Sequence, residues 1–153
     1  MFNDQDSWAE SVVREVESPE KEDLIRRLQK EWGVSYYWFP LRDKIETRAD
    51  HIEAFQATYE ESDHETLRQI LAAHGITTMF EMREDGQLYE IELAQFYPVY
   101  TGSEGFWFTL QLNWLIYASH ESSLTIGGAW LLPAVQAAWP DWEQRVWTRP
   151  FSE

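Results

Sequence analysis

The sequence predicts an α+β fold: a helical N-terminal half packed on a mainly antiparallel β-meander, closed by a helical C-terminus. Three observations carry that expectation. Apolar residues recur at helical spacing up to Gly75. The period then switches to two, with Ile76, Thr78, Phe80 and Met82 alternating against Thr77, Met79, Glu81 and Arg83. Asp85-Gly86 follows between two such runs, where a two-residue hairpin turn needs positive φ.

Taken in order, Ser7-Trp8-Ala9-Glu10 fits a capping box, with Trp8, Val12 and Val16 on one helical stripe. Ser18-Pro19 reads as an N-cap followed by Pro at the first helical position. Leu24, Ile25, Leu28 and Trp32 form the apolar face of that helix, and Gly33 stops it. Glu22 with Arg26, and Asp23 with Arg27, are i,i+4 pairs worth about 0.2–0.5 kcal/mol each. Tyr36-Tyr37-Trp38-Phe39 reads as a short strand, and 39–47 as a loop. Thr47 caps a third expected helix with Ile52, Phe55 and Tyr59 inward. A second capping box at Ser62-Asp63-His64-Glu65 opens a helix bearing Leu67, Ile70, Leu71 and His74, ended by Gly75.

In the second half, a two-residue turn sets Met82 opposite Tyr89 and Phe80 opposite Ile91. The returning strand runs from about Leu88 to Tyr97, and a loop spans Val99 to Gly105. Phe106 to Leu110, Trp114 to Ser119 and Ser123 to Ile126 read as further strands, with Glu121-Ser122 turning the chain. Gly127-Gly128 leads into a helical end with Trp130, Leu131, Val135, Trp139, Trp142 and Trp147. No repeat, low-complexity tract or linker interrupts the 153 residues, so 1–153 reads as one domain.

Charge narrows the class of partner. The net charge is −15, and between Arg83 and Arg145 there is no Lys or Arg at all. That stretch holds Glu84, Asp85, Glu90, Glu92, Glu104, Glu121, Asp141 and Glu143, together with Trp107, Trp114, Trp130, Trp139 and Trp142. Such a tract repels phosphate and anionic lipid and attracts cations and basic proteins. Nucleic-acid binding therefore has no supporting feature. Membrane insertion has none either, since no apolar run approaches the roughly 20 residues of a spanning helix. The acidic start Met1-Phe2-Asn3-Asp4-Gln5-Asp6 lacks the features of a signal peptide. Zero Cys removes disulfides, thiolate nucleophiles and Cys-ligated zinc, and a cytoplasmic location is expected.

Four constellations invite a functional reading. The expected hairpin register places Glu81 opposite Glu90 with Glu92 two residues on, a row of carboxylates facing a cation or a basic partner. A solvated face is the plainer account, and a metal site is weaker, because hard cations want about six oxygens in a cage. Ser119-His120-Glu121-Ser122-Ser123 holds the parts of a nucleophilic triad, but strand neighbours point to opposite faces and no Gly-x-Ser-x-Gly elbow is present. Turn structure or partner contact suits it better. His51, His64 and His74 form no metal-binding spacing. Exposed Trp38, Trp107 or Trp114 could act as sugar platforms, against core filling. Gly105-Phe106-Trp107-Phe108 and Trp139-Pro140-Asp141-Trp142 are the stretches expected to leave a ring outside.

The tract from Trp114 to Thr125, ending in Gly127-Gly128, resembles a hairpin of small bacterial proteins, some of them immunity proteins for secreted toxins. The resemblance implies a compact, acidic, non-catalytic protein that occludes a basic toxin domain. It carries no functional residue with it.

The expectation is thus a non-enzymatic acidic binding protein for a basic protein partner, of the immunity or inhibitor type, with no cofactor and no catalytic residue. Glu81, Glu90, Glu92, Glu104 and Glu121 would supply the field, with Trp107 and Tyr117 as aromatic anchors and His120 beside them. The alternatives are a small-ligand site or modest hydrolase in an aromatic pocket near His120 and Glu121, and a homodimer closing over an exposed Trp surface.

Overall fold

A computed structural model of the chain describes residues 12–34, 38, 51–57 and 60–147. Within them, seven antiparallel strands form one sheet: β1 (Val12–Glu15), β2 (Ile52–Gln56), β3 (Thr78–Arg83), β4 (Leu88–Glu92), β5 (Gly105–Phe108), β6 (Leu115–Ala118) and β7 (Ser123–Gly127). Three α-helices, α1 (Glu20–Trp32), α2 (Glu61–Ala73) and α3 (Leu131–Ala138), join two short 3-10 turns at Leu93–Gln95 and Trp142–Arg145. The strand order is β1-β4-β3-β5-β6-β7-β2. The α+β class expected from the change of period is the one found.

Alternation along the strands explains the layering. Phe80, Met82, Leu88, Phe106, Phe108, Leu115 and Tyr117 face α1, whose Leu24, Leu28 and Trp32 pack on them. Met79, Ile91, Trp107, Ile116, Ala118, Leu124 and Ile126 face the other way, onto Leu67 and Leu71 of α2 and Leu131, Leu132 and Val135 of α3. Each fully buried Leu, Ile or Phe contributes about 1.5–3 kcal/mol. The helices therefore lie on both faces of the sheet, not on one as the sequence suggested.

The first half is not all helical. Val12–Glu15 is a strand paired with β4, and Ile52–Gln56 is a strand paired with β7. In β2, Ile52 and Ala54 fill one core and Phe55 the other, so burial on both faces erases the period-two signal. The expected capping box at Ser7, the expected strand at 36–39 apart from Trp38, the loop at 39–47 and the Thr47 cap lie outside the described residues. Trp38 itself is not in a strand.

α1 ends as expected at Gly33, whose φ of 71° makes the left-handed cap. It starts one residue later than expected: Pro19 is its N-cap rather than its first helical residue, and the Ser18 hydroxyl donates to the Glu22 carboxylate at 2.7 Å instead of capping the backbone. Its expected side-chain pairs differ: Arg26 meets Asp23 at 3.6 Å, while Arg27 leaves the helix to donate to the Leu110 carbonyl at 3.0 Å. Trp32 Nε1–H likewise donates to the Leu112 carbonyl at 2.9 Å, so α1 is fastened to the β5–β6 connection. α2 begins at Glu61, just ahead of the expected box. α3 ends at Ala138, and Val146 then bridges back to Phe55 of β2. No described helix is long and apolar enough to cross a membrane.

The β3–β4 hairpin corrects the register. Met82 pairs with Leu88, Glu81 with Tyr89, Phe80 with Glu90 and Met79 with Ile91. The Arg83 N–H donates to the Gln87 carbonyl at 2.9 Å, leaving three residues, Glu84-Asp85-Gly86, in the loop. Gly86 takes φ 89°, the left-handed third position of a three-residue hairpin loop. One extra loop residue splits every expected pair between the two faces of the sheet.

Candidate functional site

The sequence singled out the turn after β6, and the structure builds a carboxylate cluster there. Glu104 immediately precedes β5, with its side chain on the α1-facing side, and is only 4% exposed. Its Oε1 accepts the Tyr117 hydroxyl, and its Oε2 accepts the His120 backbone N–H at 2.6 Å. His120 Nδ1 stands 3.2 Å from the same carboxylate. The Glu104 backbone N–H donates to Glu84 Oε1 at 2.8 Å, and its carbonyl accepts the Glu84 N–H, tying this turn to the β3–β4 loop. Among the described residues no Lys or Arg pairs with Glu104; its charge is met by a phenol, an amide and an imidazole. Burial, with Glu104 alongside, pushes the Tyr117 phenol far above its ordinary range.

His120 is 53% exposed, and its Nε2 lies 3.2 Å from Glu121 Oε1. A neutral imidazole can donate to one of its two carboxylate neighbours; an imidazolium can donate to both. The Ser119 hydroxyl turns away from His120. It lies 2.7 Å from the Ser123 hydroxyl and accepts the Glu121 N–H at 3.1 Å. Ser119 and His120 lie just past β6, in the turn, and their adjacency does not become a proton relay because the Ser119 hydroxyl is engaged by Ser123 and the Glu121 N–H.

The other expected residues are scattered. Glu81, 5% exposed, faces α2 and α3; its Oε1 accepts Trp107 Nε1–H at 2.9 Å and its Oε2 faces Arg83 Nε at 3.1 Å. Glu90 lies on the α1 side at the β1 boundary, 2.8 Å from Arg14, whose other nitrogens hold Glu20. Glu92 ends β4 at the surface. The expected row of Glu81, Glu90 and Glu92 is therefore not one face, because the three-residue loop inverts the register.

Trp107 and Tyr117, expected as exposed anchors, have no exposed surface. Trp38 and Trp114 are equally buried, so none of the three expected sugar platforms presents a ring to solvent. The Gly105–Phe108 stretch is interior throughout, since both faces of β5 are covered. Trp139 is also buried, with Arg145 over its ring at 4.5 Å, and only Trp142 of the terminal pair keeps partial exposure. His74 follows α2 and stacks on Trp130 at 3.6 Å; His64 is interior, edge-on to Tyr97. Among the described residues no three His, Asp or Glu side chains are grouped to hold a metal ion.

No known family model, curated protein or solved structure matches the chain.

What the sequence did not single out is Tyr97. It is 44% exposed and stands between two clefts that share it and Gln95. One, of about 730 Å³, runs between α2 and the Leu93–Gln95 turn, with an apolar bed that includes Leu93, Ala94 and Phe96. The other, of about 490 Å³, lies over Glu81, Arg83 and Tyr89, toward the hairpin loop. Four carboxylates line the two clefts, Glu61, Glu65, Glu81 and Asp85, against two guanidiniums, Arg68 and Arg83. Arg68 bonds Glu61 and the Phe96 carbonyl, and Arg83 bonds Glu81 and the Ser103 carbonyl. The nearest sequence signal was the end of an expected strand at Tyr97-Pro98.

Proposed function

We propose that this chain is a non-enzymatic acidic binding protein for a basic protein partner, of the inhibitor or immunity type. The supporting observation is how its cations are used. Arg14, Arg68, Arg83 and Arg145 are each held by carboxylates of the same chain, and Arg68 and Arg83 also by backbone carbonyls. Glu17, Glu84, Glu92 and Glu143 meanwhile stand at the surface. With a net charge of −15, the field outside the protein is negative and accelerates encounter with a cationic surface. A Cys-free chain is suited to a reducing compartment such as the cytoplasm.

The Glu104 cluster supports this reading rather than chemistry. Its acceptors are occupied by Tyr117 and His120, which fixes the turn after β6 and presents Glu121 and half of the His120 ring outward.

Partners captured on the immobilised chain from lysate of its own source, washed with stepped salt, test the proposal. The expected result is a basic protein released only at high salt. Its association rate with purified chain should fall steeply between low salt and about 0.5 M, where the screening length is only a few ångströms. A rate unmoved by salt overturns the steering mechanism.

A further inference from the structure

We infer that the paired clefts around Tyr97 are where a basic partner docks, and that the occupant is an extended segment carrying Lys or Arg side chains. This rests on the acidic-binder reading and gives it a place.

Charge complementarity is the first argument. The clefts carry an excess of carboxylate, no Lys lines them, and both of their arginines are already bonded to carboxylates and carbonyls of this chain. An anion entering here would have to break those bonds, whereas a cation meets exposed Asp85 and Glu65, the latter 3.6 Å from Arg68, which it shares with Glu61.

The second argument is the aromatic surface. Tyr97, which lines both clefts, is one of the few large hydrophobic side chains exposed among the described residues. A ring with one face in water is the platform a guanidinium or ammonium group seeks. Tyr97 is held from behind by its edge-on contact with buried His64, ring centroids 4.8 Å apart, so little side-chain freedom is left to lose on binding.

The lining argues for an extended backbone over a compact cation. Gln69, Gln87 and Gln95 mark the path from one cleft through to the other. Side-chain amides both donate and accept, which matches the N–H and C=O groups of a strand-like segment. The apolar bed at Leu93 and Ala94 would take the aliphatic stems of Lys or Arg while the charged heads reach the rim.

The test titrates hexa-arginine and hexa-glutamate peptides into the isotope-labelled full chain and follows its amide resonances at low salt. Hexa-arginine is expected to move Gln69, Gln95 and Thr101, and hexa-glutamate to move nothing. Tyr97→Ala and Glu65→Lys are each expected to weaken hexa-arginine binding about threefold or more. Glu17→Lys, the same charge change where the chain enters α1 on the other face, is expected to do less. If Glu17→Lys weakens binding as much as Glu65→Lys and the shifts spread over α1, the docking site is overturned while the acidic-binder reading stands. If hexa-arginine moves no resonance, both fall. Should Tyr97→Ala lose the fold through its contact with His64, Glu65→Lys decides, since its side chain is at the surface.

Discussion

Glu81 and Glu104 are buried to nearly the same degree on opposite faces of one sheet, yet they are satisfied by different means. Glu81 has a guanidinium and an indole N–H; Glu104 has a phenol, a backbone amide and a half-exposed imidazole. The first is a buried ion pair, whose attraction offsets the cost of desolvating two charges only while both members are present. The second leans on a phenol and an amide and leaves its one partner able to carry positive charge, His120, at the surface. One chain thus keeps one carboxylate for packing and another to fix a turn.

Breaking the ion pair should have the largest effect. Arg83→Met leaves interior Glu81 without a countercharge, with only the Trp107 N–H donating to it, and denaturant unfolding is expected to show a loss of about 3 kcal/mol. The Glu81→Met, Arg83→Met double variant should recover part of it. A single variant that costs under about 1 kcal/mol would mean that solvent already screens Glu81, and the contrast with Glu104 would collapse.

Tyr117→Phe comes next. It removes the hydroxyl from the Glu104 cluster without a large change of shape, at an expected cost of about 1–3 kcal/mol. It should also change the alkaline limb of stability. The folded Tyr117 holds its proton well above the ordinary phenol range, and Tyr89 is shifted the same way, chiefly by burial. The unfolded chain loses these protons first, so this stabilisation is complete below about pH 10 and is lost as pH rises beyond it. Tyr117→Phe should make that decline shallower while leaving the contribution of Tyr89. An unchanged slope would place the alkaline sensitivity elsewhere.

The smallest effect sharpens the comparison from the surface side. His120→Ala keeps the backbone N–H that bonds Glu104 and removes only the exposed ring, so a loss of no more than about 1 kcal/mol is expected in thermal unfolding. A much larger loss would make the imidazole, not the amide, the support of that turn.

The sequence showed these sites unequally, for physical reasons. The hairpin at Asp85-Gly86 was visible because positive φ leaves a residue signature, but the loop length was not, and one residue decided which β4 side chains share a face with Glu81. α1 was legible along its apolar face and at its Gly33 end because only one of its faces is buried, and only its N-cap was misplaced by one residue. β2 was read as helix because both of its faces are buried. Trp107 and Tyr117 looked like surface anchors because layering is not a local property: whether a ring is covered depends on helices far away in the chain. The partnership of Glu81 with Trp107 spans 26 residues and leaves no spacing to detect. Tyr97 carried no motif, since an exposed aromatic differs from a buried one only in three dimensions.

The two outermost strands bear on how the protein behaves when crowded. β2 would end the sheet with a row of open backbone groups, but Val146 pairs with Phe55, and the Trp147 N–H donates to the Ala54 carbonyl at 2.8 Å. At the other side β1 is four residues long, carries Arg14 and Glu15, and is irregular between Val12 and Arg14. Short length, charge, a bulge and a covering segment are the devices by which sheets discourage strand-to-strand polymerisation. Among the described residues, the sheet of this aromatic-rich chain thereby offers little open, regular strand edge for another strand to pair with.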